Sequence, residues 1–130
     1  MSLSDWYVLI VEDEPDSMEL VEGILDYYGI RHLSAVTGEE ALHLLQTEQP
    51  TLIIVDLALP GINGWSLLEA IKHVPALRQV PRVAITAYHN VEVANKAIEY
   101  GFDAYFAKPL DTMSFVRELE LIVSEGRLDG

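Results

Sequence analysis

The sequence predicts one α/β domain, a doubly wound parallel sheet of five strands with five helices in the pattern (βα)5. Short apolar runs alternate along the chain with amphipathic segments, and each apolar run ends at or just before a polar residue. Strands covered on both faces have this continuous apolar character, and parallel strands need helical crossovers between them. With 130 residues, 50% of them hydrophobic, the chain fits a single domain with its own core.

The first unit begins with the apolar run YVLIV at residues 7–11, which predicts a strand. Pro15 suits the first position of a helix, and apolar residues then recur at three-to-four spacing. Gly29 supplies the residue that most often follows a helix end. The first helix is therefore predicted between Pro15 and Gly29.

The second and third units follow the same pattern. RHLSAV at 31–36 is predicted as the second strand, and TGEE at 37–40 has the spacing of a capping box. The helix that it begins is predicted to end near Pro50, because proline disfavours helix in the residue before it. TLIIVD at 51–56 is the third strand, and a third helix is predicted after Gly64.

The last two units complete the sheet. RVAIT at 82–86 is read as a wholly apolar strand, followed by a helix from about Val91 to Tyr100 that Gly101 closes. AYFA at 104–107 is the fifth strand, and Asp111 can cap the final helix. The polar tail SEGRLDG that follows is too short for an output domain, so any such domain is expected outside this sequence.

Polar residues meet at one edge of the predicted sheet. Glu12, Asp13, Asp56, Thr86 and Lys108 lie at or just beyond the carboxyl ends of four strands, where doubly wound sheets bind ligands. Each one alone has an ordinary explanation, such as a solvated turn or a surface lysine. Together, the carboxylates predict either a raised pKa or a bound cation, and an all-oxygen set without cysteine favours Mg²⁺. A carboxylate nucleophile, a metal, a lysine and a hydroxyl fit phosphoryl transfer.

Composition excludes several other classes of protein. The chain has 21 acidic and 8 basic residues, a formal charge of −13, so we expect no direct binding to nucleic acid. It has no cysteine, hence no disulfide or thiolate chemistry. No apolar stretch is long enough to span a bilayer and no leader pattern is present, so a cytoplasmic location without membrane association is expected.

The chain resembles the receiver domain of two-component response regulators over residues 7–123, nearly its whole length. The resemblance rests on VEDEP, IIVDLALPGINGW, AITAY and YFAKPL, which are highly specific in combination. It implies the flavodoxin-like strand order 2-1-3-4-5 for a single receiver domain over residues 1–130. It also implies a signalling switch that catalyses only its own phosphorylation and dephosphorylation, and is not otherwise an enzyme.

The resemblance implies a role for each residue at the sheet edge. Asp56 is the phosphoacceptor and Lys108 contacts the phosphoryl group. Mg²⁺ is held by Glu12, Asp13 and Asp56 together with the backbone carbonyl of Ala58. The Lys108–Pro109 bond is implied to be cis.

A second pair of residues carries the implied conformational switch. Thr86 moves toward the phosphoryl group and the ring of Tyr105 turns inward behind it. The alternative for Tyr105 is a half-buried strand aromatic without a switching role, because aromatic residues favour strands in general.

The implied partners are a sensor histidine kinase or phosphotransfer protein and a downstream partner or missing output domain. Docking or homodimerisation is expected on the surface of the fourth helix, fifth strand and fifth helix, with Lys96, Arg117 and Glu118 at its rim. Two alternatives remain open. One is an interaction module that has lost phosphorylation, and the other is an aspartate-nucleophile phosphatase, which usually carries a second acid at the position of Ala58.

Overall fold

Five parallel strands form one sheet in the order β2-β1-β3-β4-β5. The computed structural model describes residues 2–88 and 90–125, so His89 and most of the polar tail lie outside the described residues. The strands are β1 Tyr7–Val11, β2 Arg31–Ala35, β3 Leu52–Asp56, β4 Arg82–Thr86 and β5 Ala104–Ala107. The helices are α1 Pro15–Tyr27, α2 Gly38–Leu44, α3 Gly64–Lys72, α4 Val91–Tyr100 and α5 Phe115–Glu125. The predicted flavodoxin-like fold and its strand order are confirmed.

Side chains of the central strands alternate between two apolar cores. Ile10 and Ile54 point toward α1 and α5, whereas Leu9 and Ile53 point toward α2, α3 and α4. The period of two along each strand produces this division, because successive side chains leave opposite faces of the sheet. Both faces of β1, β3 and β4 are covered, which explains their continuous apolar runs.

Local signals in the sequence set the helix ends. Pro15 occupies the first turn of α1, and Gly29 follows its end with a φ of 69°. Thr37 caps α2 by accepting a hydrogen bond from the Glu40 backbone N–H at 3.0 Å. The Glu40 carboxylate accepts a hydrogen bond from the N–H of Val36 at 2.7 Å. A standard capping box would instead have it accept from the N–H of Thr37.

Two boundaries differ from the sequence prediction. Helix α2 ends at Leu44 rather than near Pro50, because backbone N–H groups of a tight turn through Thr47 donate to the last helical carbonyls before the chain becomes extended ahead of the proline. Helix α5 begins at Phe115, after a turn in which the Asp111 carboxylate accepts from the N–H of Met113 at 2.9 Å.

Burial at the sheet edges also departs from the prediction. The edge strands β2 and β5 are only partly buried, because each has a neighbouring strand on one side only. Arg82, which the sequence pattern placed in an apolar run, is a buried charged residue at the start of β4.

Among the described residues, no helix has the length and apolar character needed to cross a membrane.

Candidate functional site

Asp56 is the last residue of the fully buried strand β3 and is itself only 4% exposed. Its Oδ1 accepts a hydrogen bond from the Ala58 N–H at 2.9 Å, and its Oδ2 accepts one from the Lys108 ammonium at 3.0 Å. Gly64 packs so closely here that a Cβ would lie 2.6 Å from the Asp56 carbonyl oxygen. The glycine therefore allows α3 to begin directly beside the turn that follows this carboxylate.

Glu12 lies beside Asp56 on the neighbouring strand end and is completely buried. Its Oε1 is 2.6 Å from the Nζ of Lys108, close enough for an ion pair. Among the described residues, this ion-pair contact is the one polar interaction of Oε1. Its Oε2 accepts the N–H of Glu14 at 3.1 Å. One lysine from the end of β5 therefore bridges two carboxylates from β1 and β3.

The pKa of Glu12 is raised to about 7, first by burial and next by the neighbouring Asp56 carboxylate, which together outweigh the lowering by Lys108 and by the Glu14 N–H. Burial acts to lower the pKa of Lys108, but Glu12 and Asp56 together raise it above its ordinary value. The lysine is therefore charged at neutral pH, whereas the Glu12 carboxyl exchanges a proton in the physiological range. Charge at this edge of the sheet is only partly compensated by the protein.

The predicted metal ligands form the kind of donor set that a divalent cation requires. Glu12, Asp13 and Asp56 each offer a carboxylate oxygen, and the three oxygens lie within 4.8 Å of one another. With all groups ionised, these carboxylates and the single ammonium of Lys108 leave two negative charges uncompensated. A buried Glu12 oxygen that only the Lys108 ammonium contacts among the described polar groups, and an all-oxygen ligand set, suit a hard ion such as Mg²⁺. The residues present therefore fit the metal that the sequence implied.

Thr86 and Tyr105 both contact the backbone of Tyr88. The hydroxyl of buried Thr86, at the end of β4, accepts the Tyr88 N–H at 3.0 Å. The half-buried ring of Tyr105 directs its hydroxyl to the Tyr88 carbonyl, donating at 3.3 Å. The two residues are thus connected through one peptide segment, an arrangement that side-chain identities alone could not have predicted.

The structure brings together the residues that the sequence placed at the carboxyl edge. Glu12, Asp13, Asp56 and Lys108 form one cluster, and the Lys108–Pro109 bond is cis as the resemblance implied. The sequence did not reveal that Lys108 contacts both carboxylates, since spacing along a chain fixes the sheet edge and not the reach of a side chain.

Comparison with known proteins identifies the family. Residues 8–120 match the model of the response regulator receiver domain. The chain belongs to this family. Receiver domains are signalling switches of two-component systems, and the match covers the acidic cluster and all five strands except the first residue of β1.

Individual relatives and a solved structure are similar to this chain over most of its length. An uncharacterised 14.6 kDa protein of Leptolyngbya boryana is 33% identical, with 89% of this receiver domain and 88% of that protein covered. The polar-differentiation response regulator DivK of Brucella ovis is 29% identical over 87% of this chain and 92% of its own. A crystal structure of a candidate response regulator from Chloroflexus aurantiacus has a TM-score of 0.87 at 29% identity, covering 92% and 98% of the two chains.

Proposed function

We propose that this receiver domain is a phosphorylation-controlled switch that accepts a phosphoryl group on Asp56 from a histidine kinase or phosphotransfer protein. The single observation that carries the proposal is the contact of Lys108 with both Glu12 and Asp56 at the carboxyl edge of the sheet. A buried carboxylate held by a backbone N–H and an ammonium is oriented as a nucleophile. The proposal implies a cytoplasmic location for this protein, because histidine kinases use ATP from the cytoplasm.

In the proposed reaction, one carboxylate oxygen of Asp56 bonds to phosphorus while the phosphorus–nitrogen bond of a phosphohistidine breaks. The electron pair of that bond goes to the imidazole nitrogen. Lys108 neutralises charge on the phosphoryl oxygens, and the Ala58 N–H keeps the carboxylate in place. When bound, Mg²⁺ supplies further positive charge for the same oxygens. Glu12, Asp13 and Asp56, with the backbone carbonyl of Ala58, would hold it.

Two other functions receive less support. An interaction module without phosphorylation would have no need to keep a buried glutamate whose pKa is raised to about 7 beside a second carboxylate. An aspartate-nucleophile phosphatase would be expected to use an acid two residues after the nucleophile, where this chain has Ala58. The receiver domain family and the acidic cluster together favour the switch.

The proposed signal leaves the site through the loop after β4. Attraction of the Thr86 hydroxyl to a phosphoryl oxygen would remove the acceptor of the Tyr88 N–H. Release of that peptide would also disturb the hydrogen bond that Tyr105 donates to the Tyr88 carbonyl. A local change in charge would in this way bias two arrangements of the loop that begins α4.

The output surface proposed for this switch is formed by α4, β5 and α5. Helix α4 has a single buried residue, Ala97, and its Ile98 is 51% exposed. Arg117 and Glu118, which we propose as rim charges of this surface, are exposed. Lys96 is also exposed, but its ammonium lies 5.4 Å from the centre of the Trp65 ring and is therefore partly directed toward α3. A downstream partner or a second copy would dock on this face.

Phosphodonor labelling tests the proposal. Wild-type protein with Mg²⁺ and acetyl phosphate or phosphoramidate should gain one phosphoryl group, mapped by mass spectrometry to Asp56. Asp56→Asn should gain none, and Asp13→Ala should retain the fold but bind Mg²⁺ much more weakly, because a charged ligand is lost. Equal labelling of Asp56→Asn and wild type would refute the assignment of the nucleophile.

A further inference from the structure

A groove between Trp6 and α5 lies at the amino edge of the sheet, the edge opposite to that of Asp56. Trp6 directly precedes β1 and forms one side of the groove, whose volume is about 480 Å³. The other lining residues belong to α5 and are Arg117, Glu120, Leu121, Val123 and Ser124. All but Val123 are spaced by three or four residues and therefore share one exposed face of the helix.

The indole of Trp6 carries a hydrogen-bond donor that the described chain does not use. Trp6 is only 2% exposed, and its Nε1 is buried without a hydrogen-bond partner among the described residues. Buried polar groups of native proteins nearly always have a partner, and an indole N–H can only donate. The groove that Trp6 lines therefore favours a ligand with an acceptor atom.

Arg117 adds a positive charge to the same groove. Within the described part of the chain, its guanidinium forms no ion pair, hydrogen bond or aromatic contact, and Glu120 lines the groove without pairing with it. Every other described lysine and arginine interacts with another group, as Lys96 does with the ring of Trp65. The groove thus combines a cation and a buried donor, both without a partner in the described chain.

We infer that this groove binds a carboxylate attached to an apolar chain. The two oxygens of a carboxylate can accept from the Trp6 indole and from the Arg117 guanidinium, and the second bond is strengthened by charge. Leu121, which is 61% exposed, and Val123 offer apolar surface to the rest of the ligand. A phosphate or sulfate ion would leave that surface uncovered. The site lies at the sheet edge opposite to Asp56 and does not depend on the proposed phosphorylation.

The first test is a titration of the full chain with hexanoate at constant ionic strength, followed by the ¹H–¹⁵N NMR signals of the indoles. The chain has two tryptophans, so each signal can be assigned with Trp65→Phe. Hexanoate should move the Trp6 signal downfield, because its N–H gains an acceptor, and should leave the Trp65 signal in place. Hexanamide has the same apolar chain without the charge and should bind about 10-fold more weakly.

N-acetylleucine distinguishes the two sources of such a ligand, because its carboxylate resembles the carboxyl terminus of a peptide. Tighter binding of N-acetylleucine than of hexanoate assigns the groove to a peptide terminus, and weaker binding assigns it to a free carboxylic acid. Both results support a carboxylate site.

Substitutions on the exposed face of α5 test the groove without disturbing the core. Arg117→Met retains a long apolar side chain and should weaken hexanoate binding by about 10-fold, because the charged donor is lost. Glu120→Gln should strengthen binding by about 2-fold, because it removes a repelling charge from the lining. Arg78→Met is the matched control, since Arg78 is exposed and does not line the groove, and it should leave binding unchanged.

A Trp6 indole signal that stays in place at saturating hexanoate would overturn the inference. Equal binding of hexanoate and hexanamide would do the same, because the groove would then bind the apolar chain alone. Equal losses of affinity in Arg117→Met and Arg78→Met would also contradict it, since they would reflect net charge rather than a contact in the groove.

Discussion

The two edges of the sheet differ in how far their buried charged groups are paired with partners in the protein. At the amino edge, buried Arg82 donates from Nε to the Val80 carbonyl and from Nη2 to the Leu77 carbonyl, both at 3.1 Å. Its backbone N–H donates to the Asp103 carboxylate at 2.9 Å. At the carboxyl edge, buried Glu12 lies beside a second carboxylate, and both share the single ammonium of Lys108.

The difference shows where this fold is built for stability and where it is built for binding. At the amino edge, the buried polar groups are hydrogen-bonded and hold the start of β4 and the turn before it in one arrangement. Like charges kept close together cost folding free energy, and this cost is recovered when a cation or a proton arrives. Removal of a charged group should therefore lower stability at the amino edge and raise it at the carboxyl edge.

The largest effect is expected at the amino edge. Arg82→Met should lower the free energy of unfolding by about 2 to 4 kcal/mol, because the carbonyls of Val80 and Leu77 each lose the guanidinium donor and Leu77 keeps only the Val80 N–H. Denaturant unfolding monitored by circular dichroism measures the loss. Labelling of Asp56 should persist under conditions where the variant is folded.

The control for this substitution is Arg117→Met, which removes the same charge from an exposed position on α5. Its unfolding free energy should stay within about 0.5 kcal/mol of wild type. Similar losses in the two variants would mean that net charge, rather than the buried hydrogen bonds, sets the stability of the amino edge.

The next effect is the pH dependence of the carboxyl edge without Mg²⁺. The pKa of Glu12 is about 7 in the folded protein, above its ordinary value of 4.5. Between these values the folded state holds a proton that the unfolded state has lost. The stabilisation of the folded state by this proton is complete below the ordinary pKa of Glu12. It is lost as the pH rises through the raised pKa of the folded protein. Unfolding free energy should fall by about 1 to 3 kcal/mol across this window.

Glu12→Gln isolates this contribution from other titrating groups. The glutamine has the same shape and cannot ionise, so the difference between wild type and variant should change with pH across the same window. Added Mg²⁺ should stabilise wild type increasingly as the pH rises, because the ion competes with the proton on Glu12. A difference that is independent of pH would show that Glu12 does not hold the proton.

The sequence predicted the helices and strands well because each carries local signals. Pro15 and Gly29 bracket α1, and the runs that end at Val11 and Asp56 are strands. Arg82 was missed because a cation at the start of an apolar run gives no sign of the carbonyls that surround it in three dimensions.

The site was predicted as a set of residues but not as a set of contacts. The topology of a parallel sheet places Glu12, Asp56 and Lys108 at one edge, which sequence order alone can indicate. The bridging position of the Lys108 ammonium, the raised pKa of Glu12 and the shared contact of Thr86 and Tyr105 with Tyr88 depend on distances of a few ångströms. Such distances arise from packing of the whole domain.

A smaller effect, opposite in sign to that of Arg82→Met, is expected at the nucleophile. Asp56→Asn should raise the unfolding free energy in the absence of Mg²⁺ by about 0.5 to 1.5 kcal/mol, because it removes one of the like charges. The asparagine carbonyl can still accept the Ala58 N–H. Urea unfolding at pH 8 would show the gain. A loss of stability would mean that attraction between Asp56 and Lys108 outweighs the repulsion among the carboxylates, and the contrast between the two edges would not hold.

The smallest change in stability, and the one that tests how the carboxyl edge communicates, comes from Thr86→Val. The variant keeps the buried volume and loses the acceptor of the Tyr88 N–H, which can turn to water, so stability should fall by less than about 1 kcal/mol. Asp56 should still be labelled, since Thr86 is not the nucleophile. The NMR shifts that the phosphate mimic beryllofluoride induces at residues 90–105 should be largely lost. Thr86→Ser retains the hydroxyl and should keep them, whereas equal responses in valine and serine variants would exclude the Thr86–Tyr88–Tyr105 connection as the route.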